Sequence, residues 1–354
     1  MAENPQGRAA VSAPPGARGR LARRVLPAAL LILVAVVLIV PLSTTDQADS
    51  LSIPVLVDKS QLRTLTTIAM FVVMASAWNL IGGLTGYAAF GNVAFFGLGA
   101  YTCAVLVDPH KGNLPFAVAL LGAVIVPAAF AGLIGWPLLR LRGHYFAIAT
   151  LGTGIAVGEV IKNIDWLGGS TGLFPPIMRR ADLLFFYLMA AAAFLAVAVT
   201  WMVLRSRFGY GLIAIRENED AAAVLGVNTT VYKVMAFMLA AALTGLAGGI
   251  FAQWNSFINQ ENVFPIDYNI QMILMAILGG AGTIFGPVAG AVVLELLIQG
   301  LAGHGEVAVY AQMGLGILLA VTVIFVPRGV IDFFGGQSRL SLAYLRRTLR
   351  ETGV

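Results

Sequence analysis

An all-α polytopic membrane protein is the fold class that this 354-residue sequence predicts, on three observations. The chain is 59% hydrophobic and 11% charged, with mean hydropathy +0.87, which leaves too little polar residue to cover a water-soluble surface. Apolar runs long enough to cross about 30 Å of hydrocarbon recur along it, about ten in all. They are too long and too rich in Leu and Ala for barrel strands, and helices satisfy their own backbone in lipid. Two clusters among the 40 glycines interrupt the pattern, so some of these helices are expected to be broken.

In chain order, residues 1–24 are rich in Ala, Gly, Pro and Arg with Glu3 as the sole acid, and are expected to form a disordered basic arm. Residues 25–330 form the transmembrane domain, and 331–354 a cytoplasmic tail. The run 25–42 exceeds a signal-peptide core and lacks a small-residue cleavage site, so it reads as a retained first span. Further spans are predicted at 62–82, 87–107, 114–139, 145–163, 183–204, 233–254, 269–284, 286–302 and 308–327. Of the 22 basic residues, only Lys59, Arg63, Lys111, Lys162, Arg179 and Arg180 fall outside if the N-terminus is inside. This asymmetry predicts both termini in the cytoplasm.

The first break runs from Gly82 through Gly86 and Asn92 to Tyr101, and the second from Gly279 through Gly282 to Pro287. Each follows an apolar helix at a similar point of its half, which suggests a weak internal repeat, parallel in sense. Irregular backbone at membrane depth is tolerated against protein or water, so the breaks can line a pathway; close helix packing through small residues explains them equally. Gly86, Asn92, Phe96 and Gly282 are the pathway candidates here. The embedded acids Glu159 and Glu295 join them, since such residues face a partner or a cavity. Glu159 has Lys162 at i+3, a spacing that also allows a structural ion pair. Glu295 has no basic neighbour in sequence, which leaves a contact with a partner chain or a pathway role.

The longest polar interruption, Arg205 to Lys233, has the build of a short exposed helix. Asn218 is placed to cap it, Glu219 and Asp220 sit in its first turn where the helix dipole favours anions, and Gly226 can close it. Its position on the cytoplasmic side suggests that a partner protein grips it.

These segments converge on a family. AWNLIGGLTGYAAFGNVAFFGLGAYT, LRLRGHYFAIATLGTGIAVGEVIKN, SRFGYGLIAIRENEDAAAVLGVNTTVYKVMAF and ILGGAGTIFGPVAGA together resemble the LivM-type permease subunit of branched-chain amino acid ABC importers, over roughly residues 62–330. The resemblance implies a bacterial inner-membrane permease that pairs with a second, LivH-type permease. Two cytoplasmic ATPases would bind ATP and drive the pair by alternating access, and a periplasmic or extracellular binding protein would deliver substrate. It also implies that residues 212–226 are the coupling helix, with Glu217, Glu219 and Asp220 meeting basic groups on the ATPase, Asn218 capping it, and Ala222, Leu225 and Gly226 packing in the ATPase groove. The first break departs from the family pattern at Tyr87, Ala89 and Gly91–Asn92, so the cargo stays open between branched-chain amino acids and urea or short amides.

The chain carries no G-x-x-x-x-G-K-[ST] loop and no catalytic, cofactor or metal constellation, so it reads as a transport subunit and not an enzyme; nothing in it points to nucleic acid. An ion-driven secondary transporter is the rival reading, against which the scarcity of embedded acids counts. Cys103 stands alone, which excludes an internal disulfide. Trp136, Trp166, Trp201 and Trp254 are expected as interfacial anchors. The loops 165–176 and 255–267 are candidates for meeting the binding protein.

Overall fold

In the computed structural model, residues 59–176 and 182–302 are described. The arm 1–24, the predicted spans 25–42 and 308–327, Arg179, Arg180 and the tail lie outside the described residues. What is described is helical. In order it comprises α1 (Lys59–Trp78) with a π turn (Asn79–Gly83), α2 (Val93–Val107), α3 (Phe116–Leu138), α4 (His144–Lys162), α5 (Asp182–Arg205), α6 (Arg207–Glu217), α7 (Glu219–Val224), α8 (Thr229–Asn255), α9 (Gln260–Val263), α10 (Ile266–Gly279) and α11 (Gly286–Ala302).

Five segments are long and apolar enough to span a membrane: Ser60–Gly83, Phe116–Leu138, His144–Lys162, Asp182–Arg205 and Thr229–Asn255. They coincide with predicted spans. Of the other three predictions within the described residues, two are shorter than expected, and the third, over 286–302, coincides with α11. The helix predicted from 87 begins at Val93, and the one predicted over 269–284 ends at Gly279, because the Gly-rich breaks are not helical. The last, Gly286–Gly300, is apolar but short.

Helix α8 is the centre of the bundle, and small residues put it there. Ala236, Ala240, Ala241, Gly245, Ala247, Gly248 and Ala252 are all buried on it. A methyl group at Gly99 would lie 2.1 Å from the Gly245 carbonyl oxygen, so α2 and α8 touch backbone to backbone. Lipid offers no hydrophobic drive between helices, and such close packing supplies the dispersion contacts that hold them. Phe95 against Phe237 (5.0 Å) and Phe96 against Phe251 (5.2 Å) then fill the space beside this seam.

The stretch from Gly86 to Asn92 runs non-helical against this core, and side chains satisfy its backbone. Trp78 Nε1 donates to the Ala89 carbonyl (2.8 Å), and the Phe90 N–H donates to Thr150 Oγ1 (3.1 Å). Just beyond it, Asn269 Oδ1 accepts from the Val93 N–H (3.0 Å). These contacts meet the condition for irregular backbone inside a membrane.

The two breaks, some two hundred residues apart, are bound to each other. Asn79 is fully buried; its Oδ1 accepts from the Gly282 N–H (2.6 Å) and its Nδ2 donates to the Thr283 carbonyl (2.9 Å). Asn79→Leu would orphan that N–H at a cost of about 1–3 kcal/mol. Thermal unfolding of the detergent-purified chain should show Tm lower by about 1–4 °C. An unchanged Tm would remove the staple from the account.

Sidedness is internally consistent. Lys111 reaches the Trp166 carbonyl (2.6 Å) at one end of the bundle, while Arg142, Arg216 and Lys233 gather around α7 at the other. The two predicted outer loops also meet: Leu173 and Ile258 form an antiparallel bridge (2.8 and 3.0 Å), and Phe174 packs on Phe257 (4.9 Å).

Candidate coupling site

The segment 212–226 is not one helix. α6, capped by Ser206, ends at Glu217, and the chain turns at Asn218 before α7 begins. Asn218 is extended (φ −162°), and its side chain accepts from the Ala221 N–H (3.0 Å), so it caps α7 as its position in the sequence suggested. At the far end the Gly226 N–H donates to the Ala223 carbonyl and the Val227 N–H to the Ala222 carbonyl, with Gly226 at φ +86°. That pair of bonds with a left-handed residue is a Schellman close, and it requires glycine there. A six-residue helix has little stability alone, so its caps and its anchorage to the bundle hold it.

The anchorage is ionic. Lys233, at the start of α8 and 2% exposed, donates to Glu219 Oε1 (2.7 Å), to the Leu139 carbonyl (2.9 Å) and to Tyr87 Oη (2.9 Å). Tyr87 Oη in turn donates to the other carboxylate oxygen of Glu219. One clamp therefore joins α7 to the first Gly-rich break, the end of α3 and the start of α8. Burial alone would raise the Glu219 carboxyl, but the hydrogen bonds from Lys233 and Tyr87 outweigh it and hold the carboxyl below its ordinary value. A lowered native pKa means that the stabilisation is complete above the unfolded value and lost as pH falls through the native one. The clamp is thus closed at neutral pH and opens only below the usual carboxylate range, near pH 4.

The other charges are also engaged within the chain. Arg142 Nη2 pairs with Asp220 (2.9 Å), and Arg216 Nη2 with Glu217 (3.0 Å). Arg216 Nη1 also donates to the Gly83 carbonyl (3.0 Å), and its stem packs against Gly86, so α6 rests on the first break. The reading in which Glu217, Glu219 and Asp220 await basic groups on a partner is therefore altered: Glu219 faces inward, and only the paired, exposed Glu217 and Asp220 remain at the surface. Ala222 is 2% exposed and packs inward as well. What projects is apolar, with Val224 88% and Leu225 82% exposed.

The pathway candidates divide. Asn92 and Phe96 are fully buried, and neither polar atom of the Asn92 side chain has a partner. Phe96 is enclosed by Phe251 and Tyr268. Glu295 is 2% exposed and accepts from Gln299 Nε2 (2.9 Å) one turn along its own helix, so it is not presented to another chain. Gly86 is exposed beside Arg216, and Gly282 lies against the Gly83 carbonyl. Glu159 is exposed, and the ion pair expected with Lys162 is absent among the described residues. Trp254, expected as an anchor, instead packs on Phe251 (6.2 Å) and lines a cavity. Asn79 and Lys233 were not singled out from sequence as site residues, and Tyr87 only as a departure from the family pattern; each is a polar residue at the edge of an apolar run, beside a break or the α7 segment.

A family model described as the permease component of the branched-chain amino acid transport system matches residues 60–326. The chain belongs to this family. It is 29% identical over 318 residues to the high-affinity branched-chain amino acid transport system permease protein LivM of Salmonella typhimurium, covering 81% of this chain and 73% of LivM. Over 204 residues it is 30% identical to the autoinducer 2 import system permease protein LsrC of Salmonella paratyphi B, covering 53% of this chain and 57% of that one. LivH of Salmonella typhimurium is 21% identical over 290 residues, 74% of this chain and 91% of LivH. This permease is accordingly a multi-pass bacterial inner-membrane component of an ABC importer family and not itself an enzyme. Membership implies ATPase and further permease partners, and it sets aside the ion-driven alternative.

Proposed function

We propose that this permease is one half of the membrane conduit of an ATP-driven importer of branched-chain or related amino acids, paired with a LivH-type subunit. The likeness to LivM along 81% of the chain is the observation that carries this reading. Two ATPases would each receive a coupling element, here α7, whose exposed Val224 and Leu225 suit an apolar groove; short helices in grooves are a common recognition mode. ATP-driven closure would push α7, and the clamp at Lys233 would pass the displacement to α8, α3 and the first break. Movement of those elements would switch the conduit between outward and inward opening.

Glu159 shares an outward face of α4 with Tyr145, Ile148 and Ile155. A carboxylate on a spanning helix is costly against lipid, so this face suits a path or an interface between the two permease halves. The bridged outer loops 165–176 and 255–267 would receive the binding protein.

The test is reconstitution of the chain with its second permease, ATPases and binding protein in proteoliposomes. Leucine should accumulate only with internal ATP, with valine and isoleucine competing. Import of urea or short amides without leucine would select the alternative cargo class, and import of autoinducer 2 without leucine would select the LsrC-like one.

A further inference from the structure

At the end of the bundle opposite α7, a cavity of about 480 Å³ opens between α1, the end of α8, α9 and the start of α10. Lys233 and Trp254 fix the separation: both lie on α8, and at 1.5 Å per residue they are roughly 30 Å apart along it. The cavity follows one face of α1 inward through Arg63, Thr67 and Met70, which recur at helical spacing.

Its lining is ordered by polarity. Arg63 on α1 and Glu261 on α9 are both exposed at the mouth, and among the described residues no salt bridge joins them to each other or to another group. Deeper, Met70 is 1% and Phe251 8% exposed, and Trp254 and Tyr268 complete an apolar, aromatic wall. Phe251 and Tyr268 are the rings that enclose Phe96 (5.2 and 5.9 Å), so the floor of the cavity is continuous with the first break. The Leu173–Ile258 bridge fixes the loop that follows Asn255, the last residue of α8, and leads into α9.

A cation and an anion at one rim, neither paired among the described residues, above an apolar wall fit a ligand that carries both charges at one end and hydrocarbon at the other. We infer that this cavity is an amino-acid receiving site in the permease itself. Arg63 takes the α-carboxylate, Glu261 takes the α-ammonium and the wall of Met70, Phe251, Trp254 and Tyr268 takes an aliphatic side chain. A guanidinium suits a carboxylate through paired N–H donors, and the aromatic rings offer large apolar faces to the hydrocarbon. The site rests on the proposed amino-acid cargo and deepens it: the cargo would be held by its zwitterion after leaving the binding protein.

Equilibrium binding of radiolabelled L-leucine to the assembled transporter, without binding protein, in nanodiscs of phosphatidylglycerol tests this, since that lipid is not zwitterionic. Saturable binding is expected, weakened about 10-fold or more by Arg63→Gln and by Glu261→Gln, as loss of one charged contact predicts. Isopentylamine and 4-methylpentanoate, each keeping one of the two charges, should compete far more weakly than valine. In proteoliposomes with binding protein, both variants should raise the KM for leucine and leave ATP-dependent coupling intact. Absence of saturable binding, or wild-type binding and KM in both variants, would overturn the receiving site while leaving the importer standing. Failure of the wild-type assembly to import leucine at all would overturn the cargo reading and this site with it.

Discussion

Leu225→Asp should remove most ATP-driven uptake while the chain still folds and inserts. Leu225 is 82% exposed and its neighbour Val224 88%, so neither contributes to the chain's own core, and a charge there costs the isolated subunit little. In an interface the same side chain would be a buried apolar anchor, and losing one such anchor costs about 2 kcal/mol, or roughly 30-fold in affinity. The measurement is the affinity of the detergent-purified permease pair for its ATPase, with uptake beside it. Ala222→Arg, by contrast, would act through folding, because Ala222 is 2% exposed inside the chain. If Leu225→Asp binds ATPase and transports as well as the wild type, the apolar tip of α7 is not the docking element.

Lys233→Met should uncouple the transporter by a different route. The Lys233 ammonium satisfies three acceptors while its side chain is only 3% exposed, and Glu219, its ionic partner, is 15% exposed. Deleting one member of a buried pair leaves the other uncompensated, at about 3–5 kcal/mol. That is enough to release so short a helix from the bundle. ATPase subunits should still associate, since Val224 and Leu225 remain, but substrate should no longer stimulate hydrolysis. Adding Glu219→Gln removes the stranded carboxylate, so the double variant should melt higher than Lys233→Met alone while staying uncoupled. Wild-type stimulation in Lys233→Met would show that force reaches the core by another path.

The sequence made some of this architecture legible and hid the rest for physical reasons. Long apolar runs such as 114–139 and 183–204 announce helices because lipid leaves their backbone no other solution. The α7 caps were equally readable, since Asn218 and Gly226 act through local backbone geometry that nearest neighbours decide. Long-range pairing is another matter. Nothing in periodicity links Asn79 to Gly282 or Lys233 to Tyr87, because those bonds join positions that only the packed bundle brings together. The acids around the α6–α7 turn were misdirected for a similar reason: read in sequence they await a partner, but Arg142 and Lys233 arrive from other elements to engage Asp220 and Glu219, and Arg216 turns to its neighbour Glu217. The shortened α2 and α10 follow from glycines whose close contacts, not whose composition, decide where a helix stops.

The central claim is that α7 offers Leu225 to an ATPase on the cytoplasmic face, and it is tested most directly by labelling that position. Cys103 is the sole cysteine and is fully buried, so Leu225→Cys in a Cys103→Ser background presents one reactive thiol. A membrane-impermeant maleimide should modify it in inside-out vesicles, fail to do so in right-side-out vesicles, and be blocked when the ATPase subunits are bound. Labelling from the outer face, or labelling that bound ATPase leaves unchanged, would contradict the account.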